Sequence, residues 1–319
     1  MQSFKISIFS LIFVLVILIS AIHYRVGVKN SIILDIVSGS STSSIATSLY
    51  ENKIILNPTI FKIYVRLSSN DHKFKAGEYK FKSTQSIHSI VDKLTKGDFF
   101  YRKLTLLPGS TISNILELGN SEGLINDLVT DPEKLLKKKG ITLQEGIFFP
   151  DTFFYLKGEN FSSILIKSYE KWKKISKDLW INRNLNLPYK NLNEAVTLAS
   201  IIEKEGLEKR KIAGVFVNRL NKNMKLQSDP TVIYALGNEF DGNLTRKNLR
   251  IDNPYNTYRY RGLPPGPISI VSYDSLEAAL NPLLTDYLYF VSMGNGFHKF
   301  SKTLTEHNEA VLKYQINDR

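Results

Sequence analysis

The apolar run LASIIEKEG, residues 198–206, ends in two glutamates one residue apart and then in glycine. A carboxyl group in apolar surroundings keeps its proton near neutral pH, which is the state a general acid requires. The spacing decides which of the two meets that condition. At about 100° per residue, Leu198, Ile201, Ile202 and Ala195 line one side of a helix, and Glu205 falls inside that stripe. Glu203 falls on another side, with Val196 and Ala199, so the two carboxyls cannot share one small cleft. Glu205 also lies in the last turn, where the helix dipole disfavours negative charge, and Gly206 reads as the helix stop. Both effects raise its pKa. The competing reading is an exposed helix-end glutamate paired with Lys209 or Arg210.

Other residues could serve such an acid. LQSDPTVIYALG (226–237) offers Gln227, Ser228 and Asp229 just ahead of a proline-started helix that carries Tyr234. Polar groups there bind sugar hydroxyls or cap the helix, and capping is the simpler role for Asp229. YNTYRYRGLPPGPI (255–268) is a loop stiffened by proline, with Tyr255 and Tyr258 as stacking faces and Asn256 and Thr257 as hydrogen-bonding groups for a ligand. A purely structural loop is the alternative. His298 and His307 have no metal-ligand spacing to carboxylates, and His307 reads as a hydrogen-bonded structural histidine. HExxH, GxSxG and a phosphate-binding glycine loop are all missing, so no metal or other cofactor is expected.

A body large enough to bury a core must position these residues. The 319-residue length and 43% hydrophobic content fit one large or two modest domains and argue against disorder. With no cysteine, disulfides and thiol chemistry are excluded. The net charge of +12 points to polyanions or to a lysine-rich composition. The basic run KLLKKKG (134–140) reads as a solvated helix end before a glycine stop. No nucleic-acid-binding motif accompanies it, so no nucleic-acid partner is expected.

Three stretches, STSSIATSL (41–49), TQSIHSIVDKL (84–94) and GSTISNILEL (109–118), place Ser or Thr before a short helix. Strand-like IILDIV, GEYKFK and KLTLLPG precede them, giving an α+β module. The first two units resemble LysM-like modules, which hold glycans by loop contacts. EGIFFPDTFFY (145–155) is a core loop or an aromatic wall for sugars. Residues 161–180 read as an amphipathic helix with Ile164, Leu165, Tyr169 and Trp172 on one side, and Asn193 as the cap of the helix ending at Glu205.

The uncharged run Ile6–Ile22 is at the short end for a membrane span, and LISAIHY is a poor signal-peptidase site, so a retained signal anchor is favoured. Lys5 on one flank and Arg25 and Lys29 on the other leave orientation undecided by charge. One anchor followed by a C-terminal body is the simplest arrangement.

LASIIEKE, AGVFVNRL, MKLQSDPTVIYALG, NPYNTYRYRGLPPGPI and LYFVSMGNGFHKFSKTLTEHN occur in this order. Together with FKAGEYKF and EGIFFPDTFFY, they make the chain resemble the endolytic murein transglycosylases of the YceG-like (MltG) family. The resemblance covers nearly everything after the anchor. It implies an N-terminal transmembrane helix (1–25, with a cytoplasmic tip), a small LysM-like module (30–100) and a larger mixed α+β catalytic domain (101–319). It further implies a single-pass inner-membrane protein, N-terminus cytoplasmic, whose extracytoplasmic body cuts nascent peptidoglycan strands beside peptidoglycan synthases. The family's catalytic glutamate is the second of the EKE triplet, here Glu205. The segment GLEKRKIAG (206–214), in which Glu208 is the counterpart of a family acidic residue, is shorter than in many members, which puts the cleft rim beside Glu205 in question. Two other readings stand beside this one: a non-catalytic glycan-binding scaffold for cell-wall synthases, and a polyanion-binding anchor protein.

Overall fold

The computed structural model describes residues 26–27, 30–70, 73–82, 84–294 and 296–316. The expected anchor, residues 1–25, lies outside them. Among the described residues no helix is long and apolar enough to cross a membrane. The fold is mixed α+β, and the chain divides into two compact units. One holds the described residues up to Lys103 together with Phe154–Glu159, and the other holds Leu104–Phe153 and the chain from Asn160 onward.

The first unit opens with β1 (Val26–Gly27) and β2 (Ile32–Ile36), followed by α1 (Thr42–Glu51) and α2 (Pro58–Leu67). It continues with β3 (Gly77–Phe81), β4 (Thr84–Gln85) and α3 (Ile87–Lys96). β2 pairs antiparallel with β3, Leu34 opposite Tyr79, giving a strand–helix–helix–strand order. Hydroxyl caps start the helices as the spacing predicts: Ser41 accepts from the Ser44 amide and Ser86 from the Ser89 amide. The second helix escapes the Ser/Thr pattern because its cap is Asn57, with Pro58 preset for the first turn. Leu49, Phe61, Tyr79, Phe81, Ile90 and Leu94 form the core. The Tyr79 hydroxyl is satisfied by the Lys75 carbonyl at 2.7 Å. Arg102 forks onto Glu78 through two bonds of 3.0 Å. Lys157, on the returning segment, reaches Asp35 of β2 at 2.6 Å.

The second unit begins along β5 (Arg102–Thr105) and continues with α4 (Ile112–Glu117) and α5 (Pro132–Lys138). After β6 (Thr152–Tyr155) come α6 (Phe161–Ile181), α7 (Leu192–Glu205), α8 (Lys209–Asn221), α9 (Asp229–Leu236) and α10 (Tyr273–Leu280). The hairpin β7 (Tyr289–Ser292) and β8 (His298–Ser301) leads to α11 (Leu304–Val311). Thr111 and Asn114 cap α4 reciprocally. Lys134, Lys137, Lys138 and Lys139 of the basic run are exposed around α5, as expected for a solvated helix end. Ile147, Phe148 and Phe149 of the aromatic stretch are core, and Ser168 of α6 both donates to and accepts from the Phe149 backbone.

One expectation about α7 needs correction. Its cap is Asn191, whose side chain accepts from the Glu194 amide, and not Asn193. The helix also has no solvent side through its middle: Ala195 to Ile202 are all buried, because α8 and α10 pack against it. Ser200 survives there by accepting from the Ile268 amide at 3.0 Å and donating to the Thr197 carbonyl at 2.8 Å.

Candidate active site

At the end of α7 the two glutamates enter different surroundings. The Glu203 side chain is 8% exposed and fully engaged. Oε1 accepts from Lys209 at 2.9 Å, and Oε2 accepts from the amide and hydroxyl of Ser272 at 2.8 and 2.6 Å. Ser272 is the cap of α10, so Glu203 knits α7, α8 and α10 together. Burial raises its pKa, but these donors win and hold it below the ordinary carboxylate value. Lys209 therefore belongs to Glu203 and leaves Glu205 without the surface ion pair that the bland reading required.

Glu205 lies on the wall of a cavity of about 730 Å³. Its carboxyl is pushed up to about 7, first by burial and then by the negative charge of Asp229. The Ser228 hydrogen bond and the Arg219 charge pull the other way. Ser228 stands at the cap position of α9, yet its hydroxyl caps nothing and instead donates to Glu205 Oε1 at 2.5 Å.

The remaining expected residues separate into two groups. Gln227, Asp229 and Tyr258 line the cavity with Glu205. Gln227 has a left-handed backbone, φ 52°, which is uncommon for glutamine and turns the chain into α9. Asp229 is not a cap: it accepts from the Tyr258 hydroxyl at 2.5 Å and places a second carboxylate on the cavity wall. The spacing gave no sign of this, since it showed no second acid on the face of Glu205.

Asn256, Thr257, Tyr234 and Tyr255 do not line the cavity. Asn256 is buried, its amide donating to the Leu249 and Ile251 carbonyls and its carbonyl accepting from the Tyr258 amide. Thr257 is buried between the Ser228 amide and Thr231, so it anchors the Ser228 loop. Tyr234 and Tyr255 pack against each other at 4.9 Å, and Tyr234 donates to Glu145. Both Glu145 oxygens accept from the Ile112 amide, and burial pushes that carboxyl up to about 7 as well.

Sequence reasoning missed other residues that line the cavity: Arg219, Tyr289, His298, His307 and Asn308. Arg219 is buried, with Nε donating to the Leu288 carbonyl and Nη1 to the Leu226 carbonyl, each at 2.6 Å. Its guanidinium is 5.2 Å from the Tyr289 ring, which stacks with His307. Burial and Arg219 hold His307 below the ordinary imidazole value. Glu208 faces elsewhere: it accepts from Lys211 and from the His298 amide, both at 2.8 Å. Among the described residues, no group of three or more His, Asp or Glu is arranged to hold a metal ion.

The arrangement is one proton-bearing carboxyl in a polar cavity with aromatic rings, suited to acid catalysis on a polyhydroxylated substrate. Comparison with known proteins agrees with that chemistry. The YceG-like family model matches residues 34–313. A Bacillus subtilis relative named endolytic murein transglycosylase is 35% identical, over 90% of this chain and 85% of its own length. A Streptococcus pneumoniae relative of the same name is 28% identical over 90% of this chain, which spans 59% of that relative's length. A crystal structure of a yceG-like protein from Listeria monocytogenes is similar with a TM-score of 0.50 at 34% identity, covering 88% of this chain and 99% of that one. From its motifs, its cavity and these relatives, the chain belongs to the YceG-like family.

Proposed function

We propose that this protein is an endolytic lytic transglycosylase. It cuts the bond between N-acetylmuramic acid and N-acetylglucosamine within peptidoglycan strands and leaves 1,6-anhydromuramoyl ends. The observation that carries this reading is the Glu205 carboxyl, on the cavity wall, tethered by Ser228 and pushed up to about 7.

Glu205 donates its proton to the bridging oxygen as the bond from that oxygen to C1 breaks. The resulting carboxylate takes the proton of the muramoyl C6 hydroxyl as O6 bonds to C1. Atoms balance with no water consumed, and Glu205 ends protonated again. Ser228 holds the carboxyl through both halves. The Asp229 anion on the same wall favours the positive charge that develops at the sugar carbon, and Tyr258 keeps Asp229 oriented. Ordinary glycosidases pair an acid with a nucleophile or base. Here the C6 hydroxyl takes the place of the second group.

The strand–helix–helix–strand order of the first unit supports a LysM-like module over residues 30–100 that holds glycan, with residues 101–319 as the catalytic domain. The uncharged run Ile6–Ile22 supports a single-pass anchor in the plasma membrane, with residues 1–25 placing the body outside the cytoplasm beside peptidoglycan synthases. There the enzyme would end strand elongation, and the +12 charge would concentrate it at anionic stem peptides and lipid head groups.

The test is mass spectrometry of uncrosslinked glycan strands after incubation with protein lacking residues 1–25. Anhydro ends that vanish in Glu205→Gln support the assignment. Ordinary reducing ends instead mean hydrolysis, with Asp229 as the second carboxylate. Binding without cleavage means a glycan-holding scaffold. Membrane fractionation of full-length protein against the 1–25 deletion tests the anchor.

A further inference from the structure

We propose that His298 is a positioning residue for Glu205, acting by packing its ring against Gly206 at the end of α7. This rests on the reading of Glu205 as the acid. Gly206 has φ 161°, extended backbone that any residue adopts, so conformation does not demand glycine there. Space does. A Cβ at position 206 would lie 2.6 Å from His298 Cε1, closer than two carbons can stand. The ring is held on its other sides: its side chain is 8% exposed and the rings of Phe290 and Phe300 stand 5.3 and 6.1 Å away.

The same strand grips the chain again two residues on. The His298 amide donates to Glu208 Oε2 at 2.8 Å, and Nδ1 lies 3.5 Å from that oxygen. Lys211 fixes Glu208 from the other side at 2.8 Å. The first strand residue of β8 thus clasps the segment 205–208 at Gly206 and at Glu208. A helix end is where backbone hydrogen bonds run out and fraying begins. Glu205 is the last residue of α7, so without the clasp its carboxyl would drift from Ser228 and from the cavity wall. His298 also lines that cavity, so the clasp and the acid share one surface.

The test is a double-variant cycle of Gly206→Ala, His298→Ala and the two combined, with His298→Phe beside it, all in protein carrying both units. A misplacement near 1 Å can cost about 10²-fold in rate. Gly206→Ala should therefore lower kcat for anhydro-end formation by roughly 10- to 100-fold, with KM little changed. Its alkaline pH limb should move down toward an ordinary carboxylate as Glu205 leaves its buried position. His298→Ala lacks the clasp and should itself lower kcat, though less than Gly206→Ala, and the combined variant should recover to the level of His298→Ala, because removing the ring makes room for the new methyl. His298→Phe should keep most of kcat if packing is the role. The same cycle read in unfolding midpoints should show the same recovery, and that readout does not depend on the reaction. Parental activity in Gly206→Ala, independent losses in the combined variant, or a folded but inactive His298→Phe would each overturn the inference. A wild type without anhydro ends, but with recovery in the unfolding midpoints, would overturn the function and leave the clasp.

Discussion

Glu205 carries two opposite demands, a place in a packed helix end and a proton to give away. Its folded pKa of about 7 lies above the ordinary value of 4.5. The folded state therefore keeps a proton that the unfolded chain releases. That contribution to stability is complete below about pH 4.5 and is lost as pH rises through about 7. Glu205→Gln should abolish anhydro-end formation by roughly 10²- to 10⁴-fold, the range of a general acid. It should also raise the unfolding midpoint relative to wild type at pH 8, where the parent carries a buried charge. In wild type, kcat/KM should fall as pH rises through about 7. Ser228→Ala removes a donor that lowers this pKa, so the alkaline limb should move to higher pH. A limb that stays put or moves down in the pH–rate profile would show that Ser228 does not set the proton affinity.

At the level of elements, the end of α7 is a junction, and Glu203 is its fastener. Glu203→Gln leaves Lys209 without its carboxylate and weakens the cap of α10. Breaking a buried pair costs roughly 3–5 kcal/mol. The depressed pKa of Glu203 means that its contribution is present above the ordinary carboxylate value and lost as pH falls through the lowered folded value. Denaturant unfolding at pH 7 should therefore show a large loss of stability in Glu203→Gln, shrinking in acid. Anhydro-end formation per folded molecule should persist. Equal activity losses in the Glu203 and Glu205 variants would contradict the division of labour between them.

For the whole molecule, the proposed function assigns the two units separable tasks. Phe61 is fully buried in the core of the first unit, and Phe61→Ala should cost about 3–5 kcal/mol there. If that unit holds glycan and the second one cuts, pull-down of long strands should weaken in this variant. Cleavage of short soluble strands should continue. Loss of both activities together would place the cutting machinery in both units.

The raised pKa of Glu205, the capped helices at Ser41, Ser86 and Thr111 and the strands at residues 32–36 and 77–81 were legible in the sequence. Caps and helix periods act between residues within about four positions of each other, so local order is enough to reveal them. Only the tertiary structure showed that α7 is buried on every side through its middle and that Glu203 fastens it to α8 and α10. It also withdrew Asn256, Thr257, Tyr234 and Tyr255 from the cavity, since any polar or aromatic loop residue reads alike until its neighbours are known. Asp229, Arg219, His298 and His307 line the cavity of Glu205 from separate elements, and no spacing along the chain encodes that meeting. Packing decides it, because a cavity wall forms where helices and a hairpin distant in sequence are pressed together by apolar burial.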